Sequence, residues 1–169
     1  MSDYPVDWIR DLVDGKLPWQ LTKQMMSEFK DANRFDKYLE VLQSRVSWDE
    51  QILLPLGEHL YIVQKAGERV VKCDCGQEFG DYHENWKLAA LVYVRKTRRS
   101  LDEIYPGNRK CDPEWMELRE FYCPGCAAQL EVEGVVPGYP LIFTFLPDLE
   151  TFYSDWLGRD LPTAEGVHG

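Results

Sequence analysis

The sequence predicts an α+β fold. A helical arm fills residues 1–50, a small antiparallel β module ending in a short helix fills 51–161, and 162–169 form a flexible tail. Three observations carry this. Apolar residues recur with a helical period in the first third of the chain. From Ile52 onward they fall in short blocks between Gly and Pro turns. Two cysteine pairs, Cys73-Asp74-Cys75-Gly76 and Cys123-Pro124-Gly125-Cys126, sit where two hairpins would turn, with 47 residues between them.

The arm reads as three helices. Asp7 to Val13 sets Trp8, Ile9, Leu12 and Val13 on one face, and Gly15 supplies a stop. Pro18 suits a first helical turn, followed by an apolar stripe of Leu21, Met25, Met26 and Phe29. Asp31 or Asn33 can cap the third helix, with Phe35, Tyr38, Leu39, Leu42 and Val46 along one side. Such stripes are packing faces rather than a cofactor box.

The β module begins at Ile52–Leu56. Leu60–Val63, a turn near Ala66-Gly67-Glu68, and Val70–Cys73 then form a hairpin that delivers the first cysteine pair. Leu88–Val94 is a further strand whose start could also be helical. Ser100-Leu101-Asp102-Glu103 resembles a capping box opening a helix that ends before Pro106. Leu118–Tyr122 and Gln129–Val132 flank the second cysteine pair. Pro147 or Asp148 opens a last short helix through Phe152, Tyr153 and Trp156, closed by Gly158.

Each cysteine pair presents two thiols on a tight turn. Together Cys73, Cys75, Cys123 and Cys126 supply the four sulfurs of a tetrahedral zinc site, in a zinc-ribbon-like module. Gly76 and Gly125 free the backbone to aim N–H groups at the thiolates, Pro124 pre-sets the second turn, and Lys72 could offset the site's formal charge. A disulfide within Cys73–Cys75 would close a small strained ring, and strand neighbours point to opposite faces. The flanks of Cys123 and Cys126 read as strands, not as the helix start that a thioredoxin-type pair requires. Cys111 is a plain thiol, and His83 is a weaker candidate ligand than any of the four cysteines. Four thiolates would fill the zinc shell, so the site is expected to be structural.

Nineteen Lys and Arg against 29 Asp and Glu give a net charge of −10, opposite to what a protein that neutralises phosphates presents. No nucleic-acid partner is therefore expected. The basic run Arg95-Lys96-Thr97-Arg98-Arg99 reads as a salt-bridging strand end or, failing that, a docking patch. No apolar run reaches the ~20 residues of a membrane helix, and Met1 to Pro5 show no export signal, so a cytoplasmic, membrane-free protein is expected. Aromatic residues at 13% suit packing against other chains as well as a core.

No phosphate-binding loop, dinucleotide fingerprint or H-E-x-x-H is present. His59, His83 and His168 are not spaced as a catalytic set, and Asp81 to Glu84 reads as a surface loop because no partner group is identifiable. Catalytic and cofactor-binding residues are therefore expected to be none.

Longer segments carry a family resemblance. Asp11-Leu12-Val13-Asp14-Gly15-Lys16, Arg34-Phe35 through Gln43, Ile52–Gly57, Cys73-Asp74-Cys75-Gly76 and Glu84-Asn85-Trp86-Lys87-Leu88 resemble the gamma subunit of acetone carboxylase. So do Glu103-Ile104-Tyr105-Pro106, Phe121-Tyr122-Cys123-Pro124 and Phe152-Tyr153 through Gly158, in the same order, from about Asp7 to Leu161. The resemblance implies a small zinc-binding subunit of an ATP-dependent ketone carboxylase, a class that includes acetophenone carboxylase. In that class large alpha- and beta-type subunits carry ATP, a divalent metal and the ketone, which is activated as an enol phosphate and carboxylated from bicarbonate to a 3-oxo acid. The four cysteines carry over as the metal ligands, and no catalytic residue does. Gly80, in place of a cysteine, and Ala127, in place of a glycine, depart from the acetone-type pattern and suggest a diverged branch, with a slight leaning toward the acetophenone type. Two other readings compete. One is an acidic zinc-ribbon adaptor of transcription or RNA processing; the other is a small enzyme using Asp81, His83 and Glu84.

Overall fold

The structure, a computed structural model, describes residues 3–163. Helices α1 (Val6–Val13), α2 (Trp19–Ser27) and α3 (Arg34–Gln43) precede strands β1 (Gln51–Pro55), β2 (Leu60–Lys65), β3 (Glu68–Cys73) and β4 (Glu78–Asp81). A 3-10 turn at Trp86–Ala89 leads into β5 (Leu91–Arg95), α4 (Arg98–Asp102), β6 (Glu117–Tyr122) and β7 (Gln129–Val135). The short α5 (Leu149–Thr151) runs on into a π-helical turn over Phe152–Trp156. The strands form two antiparallel sheets in sequence order, β1-β2-β3-β4 and β5-β6-β7. This is the α+β architecture expected from the sequence. Most of the 162–169 tail lies outside the described residues.

The first sheet is buried on both faces, which explains why Leu60-Tyr61-Ile62-Val63 is a continuous apolar run instead of an alternating one. Leu60, Ile62, Val71 and Cys73 point to a core shared with Phe79, Trp86, Phe121, Cys123 and Leu149, and so face the second sheet. Tyr61, Val63 and Val70 point the other way, onto Leu42 of α3 and Ile52. The two-residue turn that joins β2 to β3 has positive φ at both Ala66 and Gly67, the geometry whose twist matches a hairpin.

The arm is therefore only partly an appendage. Its third helix covers a face of the first sheet. Its first helix packs on the far side of α3 through Tyr4, Ile9 and Val41. Asp31, almost fully buried, ties these parts together by accepting from the Tyr4 and Asn33 N–H groups and from Lys37 Nζ. Burial alone would raise the Asp31 pKa, but the Lys37 ammonium and the two N–H groups hold it below the usual carboxylate value. In contrast, α2 has no fully buried residue: Met25 packs half-buried on the Tyr4–Ile9–Val41 cluster, while Met26 and, just beyond the helix, Phe29 are exposed.

One local expectation changes, and two segments had no assignment from the sequence. The helix near residue 100 starts earlier. Thr97 and Ser100 form the reciprocal capping box of α4, so Ser100 is the third helical residue and not the cap. Strand β4 was not foreseen, because Gln77-Glu78-Phe79-Gly80-Asp81 is short and polar and pairs only as the edge beside β3. Leu141–Leu146, long enough for a strand, forms none. Arg119 donates to the carbonyls of Tyr139 and Pro140 at its entry, and Lys87 reaches the Thr144 hydroxyl. The same Lys87, buried beside Phe121, pairs with Glu131 and Glu133.

Candidate metal centre

Strand alternation builds this site. In β3, Val71 and Cys73 share the face that looks at the second sheet; in β6, Phe121 does, and Cys123 follows it two residues on. The first turn is closed by Cys73 N–H to the Gln77 carbonyl (2.8 Å) and Gly76 N–H to the Cys73 carbonyl (2.8 Å). The second is closed by Cys123 N–H to the Ala128 carbonyl (2.9 Å) and Ala127 N–H to the Cys123 carbonyl (2.8 Å). The two turns meet so closely that a Cβ on Gly125 would lie 3.1 Å from Gln77 Cβ and 3.3 Å from Cys75 Sγ. Glycine is needed there for space; at Gly76 it is needed for a φ of +97°.

All four sulfurs lie within 4.8 Å of one another, with Cys73 and Cys123 buried and Cys75 and Cys126 exposed. Cys73 Sγ is 3.9 Å from Cys126 Sγ, and Cys75 Sγ is 3.6 Å from Cys123 Sγ. A regular tetrahedron with ~2.3 Å metal–sulfur bonds has edges of about 3.8 Å, whereas a disulfide needs ~2.05 Å. The donor set and spacing thus fit a tetrahedral divalent cation. Cys111 and His83 lie outside the cluster. Cys111 Sγ contacts the Met116 carbonyl, and His83 pairs with Asp81 on the surface.

The protein's own groups leave these thiols divided. Burial pushes Cys73 far up, and the Asp74 carboxylate that accepts its S–H adds to this. Burial also raises Cys75. Cys123 is buried too, but N–H groups of Cys126 and Gly125 and the neighbouring thiols outweigh that and lower it. Gly125 N–H lies 3.4 Å from Cys123 Sγ. A cation is what would make all four sulfurs thiolates together.

Lys72 does not offset the charge. Being next to Cys73 in β3, it points to the opposite face, where its Nζ sits 2.6 Å from Glu50 Oε1 and 4.8 Å from the Trp48 ring centroid. The supporting residues are others. Trp48 Nε1 donates to the Asp74 carbonyl (3.1 Å), and His59 Nδ1 lies 2.7 Å from Asp74 Oδ2. Asp74 could have been noticed as the residue between two cysteines; nothing in the sequence marks Trp48 or His59. Arg95, in the basic run, is engaged by Glu120 and Glu103, and Arg98 lies 3.6 Å from Asp112, as a salt-bridging surface requires. Asp81 and His83 are exposed, and their side chains pair with each other.

Ala127 has a φ of +59°, a region in which a Cβ costs about 1–2 kcal/mol. Ala127→Gly is therefore expected to stabilise the chain by up to about 1 kcal/mol, after allowing for the greater freedom of glycine in the unfolded state. A rise in the denaturant midpoint of the metal-loaded chain checks this; a fall would contradict it.

Two antiparallel sheets clamped by a four-thiol cluster define a small α+β protein able to hold a metal ion at the seam of its own core. The chain belongs to the acetone carboxylase gamma subunit family, whose model matches residues 46–157. It is 46% identical over 156 residues to the acetone carboxylase gamma subunit of Xanthobacter autotrophicus, a match spanning 91% of this chain and 93% of that one. It is also 31% identical over 80 residues to the acetophenone carboxylase beta subunit of Aromatoleum aromaticum, spanning 46% of this chain and 62% of that one. Because the longer and stronger match is to the acetone-type subunit, the departures at Gly80 and Ala127 do not place the chain in the acetophenone branch. Among the described residues, no helix is long and apolar enough to cross a membrane.

Proposed function

We propose that this chain is a non-catalytic, zinc-binding assembly subunit of a cytoplasmic, ATP-dependent ketone carboxylase of the acetone type. The observation that carries this is the four-sulfur cluster at the junction of the two sheets, in a chain of the gamma-subunit family. Cys73, Cys75, Cys123 and Cys126 would hold zinc as four thiolates. That arrangement fills a tetrahedral shell, leaves no position for water or substrate, and makes the ion a fastener. Joining β3 to the end of β6, it would fix how the two sheets meet, and so the shape that the subunit presents to its partners.

The carboxylation of a ketone by bicarbonate, with its ATP and divalent metal, belongs in this reading to larger alpha- and beta-type subunits. The segments 1–50 and 51–161 serve as a docking arm and a zinc-binding domain, with α3 as the layer they share. The match to the Xanthobacter subunit spans 91% of the chain and so reaches into the arm, while the family model begins only at residue 46, which supports a separate task for the arm. The purified chain alone is expected to hydrolyse no ATP and carboxylate no ketone. ATP hydrolysis that persists through repurification would overturn the non-catalytic reading.

A further inference from the structure

A groove of about 800 Å³ runs between α1 and α2 on one side and the C-terminal turn on the other, floored by α3. Its walls are apolar and partly mobile in character: Leu12, Met25 and Met26 face Phe35, Phe152 and Trp156. The far wall is fixed to α3 by the edge-on contact of Phe35 with Phe152 (5.1 Å between centroids) and by the Arg159–Asp36 ion pair. Met26 and Trp156 are 67% and 79% exposed, so the apolar surface is open to a partner.

The charged groups of the groove are of one sign. Lys30 and Arg34 line it and no Asp or Glu does, in a chain with ten more acids than bases. Among the described residues neither cation has a carboxylate partner. Lys30 Nζ donates to the carbonyls of Met25 and Met26, and Arg34 Nη1 to that of Asp31. Tyr4 also lines the groove; it is 5% exposed, and among the described residues its buried hydroxyl has no hydrogen-bond partner. The site thus combines apolar walls with two cations that, among the described residues, have no carboxylate partner.

These features select the occupant. An extended strand would need backbone partners that walls made of helix side chains do not offer, whereas a helix satisfies its own backbone and needs only a groove for its apolar face. We propose that this groove receives an amphipathic helix of a larger carboxylase subunit, whose apolar stripe packs between α2 and Trp156 and whose flanking carboxylates meet Lys30 and Arg34. The inference rests on the reading of the chain as a subunit and adds the chemistry of what it grips.

The test uses the full-length, zinc-loaded chain and fluorescein-labelled helical peptides designed with leucines at i, i+3, i+4 and i+7, flanked either by Glu or by Lys. The Glu-flanked peptide is expected to bind about tenfold tighter than the Lys-flanked one. The double substitution Lys30→Glu, Arg34→Glu should reverse that order, and Met26→Glu should weaken the Glu-flanked peptide by about tenfold, with zinc content and circular dichroism unchanged. Equal binding of both peptides, no binding of either, or binding indifferent to Met26→Glu would overturn the proposal. So would sedimentation showing a dimer that Met26→Glu dissolves, because a second copy would then fill the groove. Co-purification of the Met26→Glu chain with the larger subunits separates the two claims. If assembly survives while peptide binding fails, the groove proposal falls and the subunit reading stands.

Discussion

Replacing Cys73 or Cys123 by serine is expected to release the metal and part the two sheets. Both cysteines are fully buried in the core that the sheets share, so each substitution removes a ligand and leaves a polar hydroxyl where sulfur packed. Structural zinc contributes on the order of 10 kcal/mol to the fold it completes, which rivals the 5–15 kcal/mol total stability of an ordinary domain. The loss should therefore appear as near-zero metal content together with loss of cooperative thermal unfolding. Cys111→Ser is the internal control, since Cys111 stands outside the cluster. Full zinc occupancy in Cys73→Ser or Cys123→Ser would sink the four-thiol assignment, and loss of zinc in Cys111→Ser would mean a different ligand set.

Removing α1 and α2 (residues 1–30) should leave zinc bound but abolish co-purification with the larger subunits. The cut is placed before Asp31 for a structural reason. A longer deletion through residue 46 would strip α3 from Ile52, Tyr61, Val63 and Val70 and expose a full sheet face, so failed assembly would then only report unfolding. With α3 kept, the first sheet stays covered and Asp31 keeps its contact with Lys37. An interface that discriminates partners commonly concentrates its energy in a few aromatic and long apolar anchors, and the removed segment holds Trp19, Met26 and Phe29, all exposed. Assembly of the truncated chain at wild-type yield would move the docking surface to the β module, where Leu91, Val92 and Tyr93 of β5 also lie open.

Much of this was legible in the sequence because it depends on local rules. The stripes of α1 and α3, the hairpin turn at Ala66-Gly67 and the strands on either side of each cysteine pair follow from periodicity and turn chemistry. The four cysteines were legible as a set because their chemistry leaves few alternatives. What escaped depended on distance. No pattern tells that Leu42 of α3 packs on the first sheet while α2 leaves most of its apolar side chains open, since both carry a stripe. Strand β4 exists because β3 offers it an edge. Lys72 was misread because adjacency in sequence suggested adjacency in space, whereas a strand sends consecutive side chains to opposite faces. Trp48 and His59 support the cysteine turns from 26 and 15 positions away in sequence from Asp74, which only the folded chain reveals.

The separation of the two cysteine turns also sets a timetable. A ribosome adds roughly 5–20 residues per second, so the 47 residues between Cys75 and Cys123 take roughly 2–10 s to make. During that interval the ligand set is half complete, with Cys73 and Cys75 present and only the non-cluster Cys111 added, on a hairpin whose apolar face still awaits Phe121. A cation captured then is held by two sulfurs and is free to leave or to be exchanged. Arrival of Cys123 and Cys126 would turn provisional capture into retention as the second sheet closes over the first. A retained metal would thus record that synthesis has passed residue 126, and a chain that stalls earlier would carry its open thiols as a mark of incompleteness.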